Sequence, residues 1–221
     1  MVFMNFFRIA GDMCHLLSFV VMFWKLHSSQ SVAGISLKTQ ELYALVFLAR
    51  YLDLFWNFLS IYNWVMKVIF ILCSVGIVCI IRFGVPHKET YNKEDDAFPQ
   101  QYLIISALLL GISINQDHSS LFEMCWAFSI YLEAVAILPQ LFMLQKQGGA
   151  ESLTSHYVML LGLYRLFYLF NWIYRYATED NYMQIIVWVA GIVQTALYLD
   201  FFYNYINAKQ KGIDAPIELP A

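Results

Sequence analysis

Charge is what this sequence has least of. Only 13% of its 221 residues are Asp, Glu, Lys or Arg, against 60% hydrophobic residues and a mean hydropathy of +0.57. That balance excludes a soluble domain and points to an all-α membrane protein with several spans. The four cysteines, Cys14, Cys73, Cys79 and Cys125, lack the spacing of a disulfide framework or a metal site; set in apolar runs, they read as buried free thiols. An unbroken apolar leader is missing too, because Arg8, Asp12 and His15 interrupt the first run, so no cleavable signal is expected. Nor does any nucleophile, metal cluster or phosphate loop occur at workable spacing. An enzyme is therefore the least supported class, and no cofactor or nucleic-acid partner is expected.

What is present is a series of apolar runs, at about 5–24, 41–59, 65–83, 102–114, 121–144, 156–176 and 184–206. Spans of ~20 residues make that seven crossings. The one clear loop, Val85 to Gln101, carries Lys88, Glu89, Lys93, Glu94, Asp95 and Asp96 between Pro86 and Pro99 and reads as a solvated connector. Lys25, Lys38, Arg82, Lys88, Lys93, Lys146, Lys209 and Lys211 fall on one side of this plan; the other has only Lys67 and the helix-end residues Arg8 and Arg175. The lysine-rich side is expected to be cytosolic, with the N-terminus lumenal or extracellular and the C-terminus cytosolic.

The halves resemble each other. Ser36 to Asn57 and Ser152 to Trp172 align so that Arg50 falls on Arg165, Leu54-Phe55 on Leu169-Phe170 and Trp56-Asn57 on Asn171-Trp172. The expected architecture is a parallel 3+1+3 repeat of seven transmembrane helices: a first three-helix unit over 1–83, a cytosolic loop and linker helix over 84–117, a second unit over 118–206 and a cytosolic tail over 207–221. Some transporters share this plan and place their site between the halves.

Intramembrane polar residues follow helical spacing: Arg8, Asp12 and His15 in the first run; Arg50, Asp53 and Asn57 in the second; Glu123, Trp126, Glu133 and Gln140 in the fifth. The sixth run places Tyr164, Tyr168, Asn171, Trp172 and Arg175 on one face, with Arg165 beside it. A buried arginine costs on the order of 3 kcal/mol even on mild insertion scales, so such residues face a partner or a wet cavity. Pairs such as Arg50 with Asp53, or Arg8 with Asp12, could simply join helices. Taken together, four stripes are expected to converge on one cavity with a mixed-charge mouth and a cationic floor. An extended ligand entering carboxylate first suits it, because a guanidinium forks a carboxylate and keeps its charge when buried. Trp126 offers an aromatic face for a cation, and His15 is the expected pH sensor.

These residues carry a resemblance. Asn5-Phe6-Phe7-Arg8, Gly11-Asp12 with His15, Ala33-Gly34-Ile35-Ser36, Arg50-Tyr51-Leu52-Asp53-Leu54-Phe55, Ser129-Ile130-Tyr131-Leu132-Glu133, Gly162-Leu163-Tyr164-Arg165, Asn171-Trp172-Ile173-Tyr174-Arg175 and Asp200-Phe201-Phe202-Tyr203 resemble the K/HDEL receptors. That family retrieves escaped endoplasmic-reticulum proteins from the Golgi by their C-terminal tetrapeptide, and its fold is similar to SWEET and PQ-loop proteins. The resemblance implies that Arg8, Arg50 and Arg175 contact the signal's carboxylates, with Tyr51, Tyr168 and Trp172 lining the site. It further implies that Asp53, Glu123 and Trp126 surround the signal's first residue, and that His15, Glu133 and Tyr164 form a proton-linked switch. Arg165 and Asn57 complete the expected ligand-binding set.

Expected partners are K/HDEL-type peptides, the lipid bilayer and the cytosolic coat complex COPI, in the cis-Golgi, the endoplasmic reticulum and the vesicles between them. Asp200, Lys209 and Lys211 are the trafficking candidates. Val32 stands where many members carry a cysteine. A SWEET-like transporter of a small anion or sugar is the second reading, disfavoured by polar residues concentrated toward the lumenal side.

Overall fold

The computed structural model describes residues 5–179, 184–211 and 217–219. Most of the turn Thr178 to Met183, residues 212–216 of the tail, the final Pro220-Ala221 and the side chain of Lys211 lie outside them. The chain is almost wholly helical. Four stretches, Phe6–Ser29, Ile61–Phe83, Leu121–Lys146 and Ile185–Gln210, are long and apolar enough to cross a bilayer, and Gln100–Ser113 is a shorter apolar helix. Large apolar side chains such as Trp24, Leu72, Leu109 and Ile192 face outward along them. Lipid is the solvent that suits such a surface, and helices are what lipid permits because they satisfy their own backbone.

The chain divides into two compact units, Met1–Ser28 with Leu144–Ala221, and Ser29–Met143. The second holds α2 (Leu37–Arg50), a 3-10 turn (Leu52–Phe55), α3 (Ile61–Phe83), α4 (His87–Thr90), α5 (Gln100–Ser113), α6 (Leu121–Val135) and the start of α7 (Leu138–Lys146). Three of these helices begin at a serine whose hydroxyl accepts a backbone N–H one turn on: Ser36 from Thr39, Ser60 from Asn63 and Ser120 from Glu123. Each cap contributes about 1 kcal/mol. α2 packs on α3 and α6, and α5 packs on α6.

Two breaks in this unit depart from the sequence expectation. The second run is not one crossing helix: α2 stops at Arg50, and the chain turns through Leu52–Phe55 before Ser60 starts α3. Asp53 is the cause, since a short polar side chain disfavours the helix interior and this one is drawn to Lys67 of α3. The fifth run is broken between α6 and α7. Pro139 has no N–H to give the Val135 carbonyl four residues back, and its ring crowds that carbonyl, so α6 ends at Val135 and a new helix starts around the proline.

That break takes Gln140 out of the stripe it was expected to share with Glu133. Fully buried, it receives the Ser36 N–H (2.9 Å), donates to the Gly34 carbonyl (2.8 Å) and offers its own N–H to Thr39 (2.9 Å). The loop before α5 is less solvated than its charge implies. Asp96 is only 1% exposed and accepts from the Ser36 hydroxyl, the Lys38 N–H and the Tyr91 hydroxyl.

The other unit holds α1 (Phe6–Ser29), α8 (Ser152–Thr178), α9 (Ile185–Leu197), α10 (Leu199–Lys211) and a short antiparallel pair, Gly149–Ala150 with Ile217–Glu218. α8 runs 27 residues, about 40 Å, through its whole polar stripe. Small residues let its neighbours approach. A Cβ at Gly11 of α1 would come within 2.7 Å of the Tyr168 ring, and one at Gly191 of α9 within 2.2 Å of Trp172. Lys25, read from sequence as a cytosolic flank, is buried and paired with Glu151. The cysteines are free, but Cys79 is exposed and the other three are half-buried, because they face outward from helices in an apolar setting.

Candidate functional site

The site residues fall into two clusters, one in each unit. In the Ser29–Met143 unit, Arg50 is the centre. Ending α2, it extends to α6, where its Nε donates to Ser129 Oγ at 3.1 Å and its Nη1 pairs with Glu133. The side chains are 15% and 2% exposed, so this is a buried ion pair. Ser129 and Glu133, four residues apart, present one face of α6 to the guanidinium. Nη2 is buried and makes no hydrogen bond. A guanidinium has five N–H donors, and leaving such a donor dry is costly; among the described residues no acceptor meets this end.

One turn on, Asp53 accepts two 2.8 Å contacts from Lys67 and one of 3.2 Å from the Asn57 amide. The Lys67 ammonium also lies 5.7 Å from the centre of the Tyr51 ring, which stacks on Phe47. At the start of α6, Glu123 keeps Oε1 buried without a hydrogen bond, and Trp126 lies half-buried one turn further along. The pairing suggested by sequence spacing, Arg50 with Asp53, is not made: each takes a partner from another helix.

In the other unit, an aromatic column runs down α8. His15 of α1 stacks on Tyr164 with centroids 4.3 Å apart and rings within 8° of parallel, and Phe19 lies on its ring at 4.9 Å. Tyr164 meets Tyr168 edge-on at 6.3 Å, and Tyr168 meets Trp172 at 6.1 Å. The Tyr168 hydroxyl donates to Asp12 at 2.5 Å, a charge-assisted bond between α8 and α1. Arg165 is buried with its guanidinium carbon 5.0 Å from the Tyr164 ring centre, a cation–π geometry. Above the column, Asn5 donates to Asn171 at 2.7 Å and also accepts the Arg8 N–H at 3.0 Å, which fixes the start of α1.

At the end of α8, Arg175 grips Glu179 through Nε and Nη2, both at 2.8 Å. That hydrogen bond holds the Glu179 carboxyl below its ordinary value of 4.5. Arg175 is thus already loaded with a carboxylate in the arrangement expected for a ligand's.

The trafficking candidates are more ordinary. Asp200 lies exposed in the first turn of α10, where a negative charge suits the helix dipole. Lys209 reaches Ser152 Oγ at 3.5 Å and lies 5.6 Å from the Tyr205 ring centre. Sequence reasoning missed Ser129 and Lys67 as partners of Arg50 and Asp53, and Asn5 as the partner of Asn171. Lys67 carried a usable signal: a lysine inside the apolar α3 run needs an acid, and Asp53 is the nearest in sequence.

The elements and clusters together define an all-helical membrane protein with buried guanidiniums. A family profile described as ER lumen protein retaining receptor matches residues 31–175. The chain is 53% identical over 202 residues to ER lumen protein-retaining receptor A of Arabidopsis thaliana, covering 91% of this chain and 94% of that one. It is 50% identical over 217 residues to ER lumen protein-retaining receptor 3 of Mus musculus, covering 98% and 100%. With ER lumen protein-retaining receptor of Plasmodium falciparum it shares 47% over 211 residues, 95% of each chain. The chain belongs to the ER lumen protein retaining receptor family, a family of receptors and not of enzymes.

Proposed function

We propose that this chain binds the C-terminal K/HDEL-type signal of escaped endoplasmic-reticulum proteins, more tightly at mildly acidic than at neutral pH, and returns them from Golgi to endoplasmic reticulum. The observation that carries this reading is the buried, unpartnered Nη2 of Arg50, a donor left for a carboxylate. The signal ends in a free carboxylate preceded by acidic residues, and a guanidinium held on two of its three nitrogens presents the third without further ordering cost. Arg8, Arg165 and Arg175 complete the cationic set. Tyr51, Tyr168 and Trp172 line the peptide; Asp53, Asn57, Glu123 and Trp126 receive its first residue, with the unpartnered Glu123 oxygen suited to a cation.

His15, stacked on Tyr164, is the proton-sensing group, because imidazole is the side chain that gains charge between pH 5 and 8. Glu133, which pairs with Arg50, is the second member of the proposed switch, with Tyr164. The seven apolar runs cross the membrane as a parallel 3+1+3 repeat with the N-terminus lumenal, and the tail with Lys209 and Lys211 meets the COPI coat in the cytosol. The receptor cycles between cis-Golgi, endoplasmic reticulum and the vesicles that join them.

Titrating the purified protein with peptides ending in -KDEL or -HDEL tests this. The reading expects saturable binding at about pH 5.5 and weaker binding at about pH 7.4. No binding at either pH, or flux of a small solute in reconstituted vesicles without peptide binding, overturns it.

A further inference from the structure

A second polar site lies in the Ser29–Met143 unit, apart from Arg50. Where α3 ends, a cleft of about 560 Å³ opens, lined by Lys38, Arg82, Lys88 and Lys93 against the carboxylates of Glu41 and Asp96. Its size is within the ~300–1,000 Å³ usual for small-molecule sites. Both carboxylates are already engaged. Asp96 is buried under Ser36, Lys38 N–H and Tyr91, whereas Glu41 accepts from Arg82 at 2.8 Å and from the Gln100 amide at 3.0 Å. Lys88 and Lys93 make no ion pair among the described residues, and the Lys38 ammonium spends one of its three donors on the Phe98 carbonyl. The loop's other acids, Glu89, Glu94 and Asp95, do not line the cleft. The cleft is left with cationic donors to spare.

Two further features narrow the ligand. Gln100 Oε1 is buried without a hydrogen bond, and its orientation is fixed because the amide nitrogen is spent on Glu41. It asks for a donor, which an esterified phosphate, largely or wholly deprotonated at neutral pH, scarcely offers and a polyol hydroxyl does. The cleft also begins where the apolar span Ile61–Phe83 stops, with Phe83, 73% exposed, on its wall. That is the depth of lipid headgroups, where basic pockets recognise anionic ones.

We infer that this cleft binds a phosphorylated polyol, the headgroup of an anionic inositol-type lipid, with Lys38, Lys88 and Lys93 on the phosphates and Gln100 accepting from a ring hydroxyl. The inference takes the cytosolic facing of this end from the proposed orientation. It does not depend on which peptide the receptor binds.

The test uses the purified full chain in detergent. Short-chain phosphatidylinositol bisphosphate, the free inositol phosphate, inorganic phosphate, phosphatidylserine and phosphatidic acid are compared by native mass spectrometry and thermal shift. The inositol lipid is expected to bind best, and Lys88→Ala with Lys93→Ala to weaken it about thirtyfold. Gln100→Leu should erase the preference for the inositol lipid over phosphatidic acid while leaving phosphatidic acid binding in place. A free headgroup that binds as tightly as the lipid keeps the polyol-phosphate site and assigns it a soluble ligand. Equal binding of phosphatidylserine, or unchanged binding by the double lysine variant, overturns the inference. Peptide binding by that variant, measured in parallel and expected unchanged, separates its failure from failure of the receptor reading.

Discussion

Arg50 and Arg165 align in the internal repeat, yet the chain treats them differently. Arg165 sits inside α8, which continues another 13 residues to Thr178, and its charge lies against the Tyr164 ring. Arg50 is the last residue of α2, forked onto Ser129 and Glu133 with one nitrogen left over. The residue three positions on accounts for the difference. Tyr168 continues the aromatic column, whereas Asp53 in the equivalent place leaves the helix to meet Lys67. A repeat can therefore conserve a charge and still give it two settings, one against an aromatic ring inside a continuous helix and one held on a hydroxyl and a carboxylate at a helix end.

The largest expected effect breaks the open half. Arg50→Ala should abolish peptide binding and lower stability by about 3–5 kcal/mol, because Glu133 is left buried without its cation. Adding Glu133→Gln to that variant should recover most of the stability and none of the binding, as read by thermal unfolding and peptide titration. Next in size, Asp53→Leu should let α2 extend and strand Lys67 in an apolar run, costing about 2.5–3.5 kcal/mol by the insertion scale. If Asp53→Leu were neutral, the explanation of the helix stop would fail.

His15→Phe keeps a ring for Tyr164 to stack on and removes the titration. Peptide affinity should then vary less than about threefold between pH 5.5 and 7.4, where the native protein changes by tenfold or more. The smallest effect belongs to Glu179→Gln, which frees the Arg175 fork and should raise peptide affinity a few-fold, in line with the small worth of exposed pairs. Arg175 depresses the Glu179 carboxyl, so the pair's contribution is complete above the ordinary value of 4.5 and is lost only as pH falls through the lower folded value. It therefore adds nothing to pH dependence between 5.5 and 7.4, and Glu179→Gln should leave the slope of affinity against pH unchanged.

Much of this was legible in the residues. The first, third, fourth and sixth apolar runs each fall on a single helix, whereas the second stops at Arg50 and the fifth and seventh are each split into two helices; the stripe from Tyr164 through Tyr168 to Trp172 is a continuous column, because an uninterrupted helix keeps the promise of its spacing. Spacing failed where the helix did. Asn57 is still bonded to Asp53, but beyond the α2 stop; Gln140 lies past the Pro139 break and ties down Gly34, Ser36 and Thr39 instead of lining a seam with Glu133. Partner choice was less legible still. Asp96 read as one more loop charge because burial depends on what folds over it, here Ser36 and the Lys38 N–H about sixty residues away at the start of α2, and no local pattern announces that.

The most direct test compares a -DEL peptide carrying a free C-terminal carboxylate with its C-terminal amide, against native protein and Arg50→Lys, at about pH 5.5. Saturable binding of the free acid, no binding of the amide and at least a tenfold loss in Arg50→Lys, which keeps the charge and forfeits the fork, are the predicted results. Equal affinity for acid and amide would contradict the claim that the unfilled end of the Arg50 guanidinium takes the peptide's carboxylate.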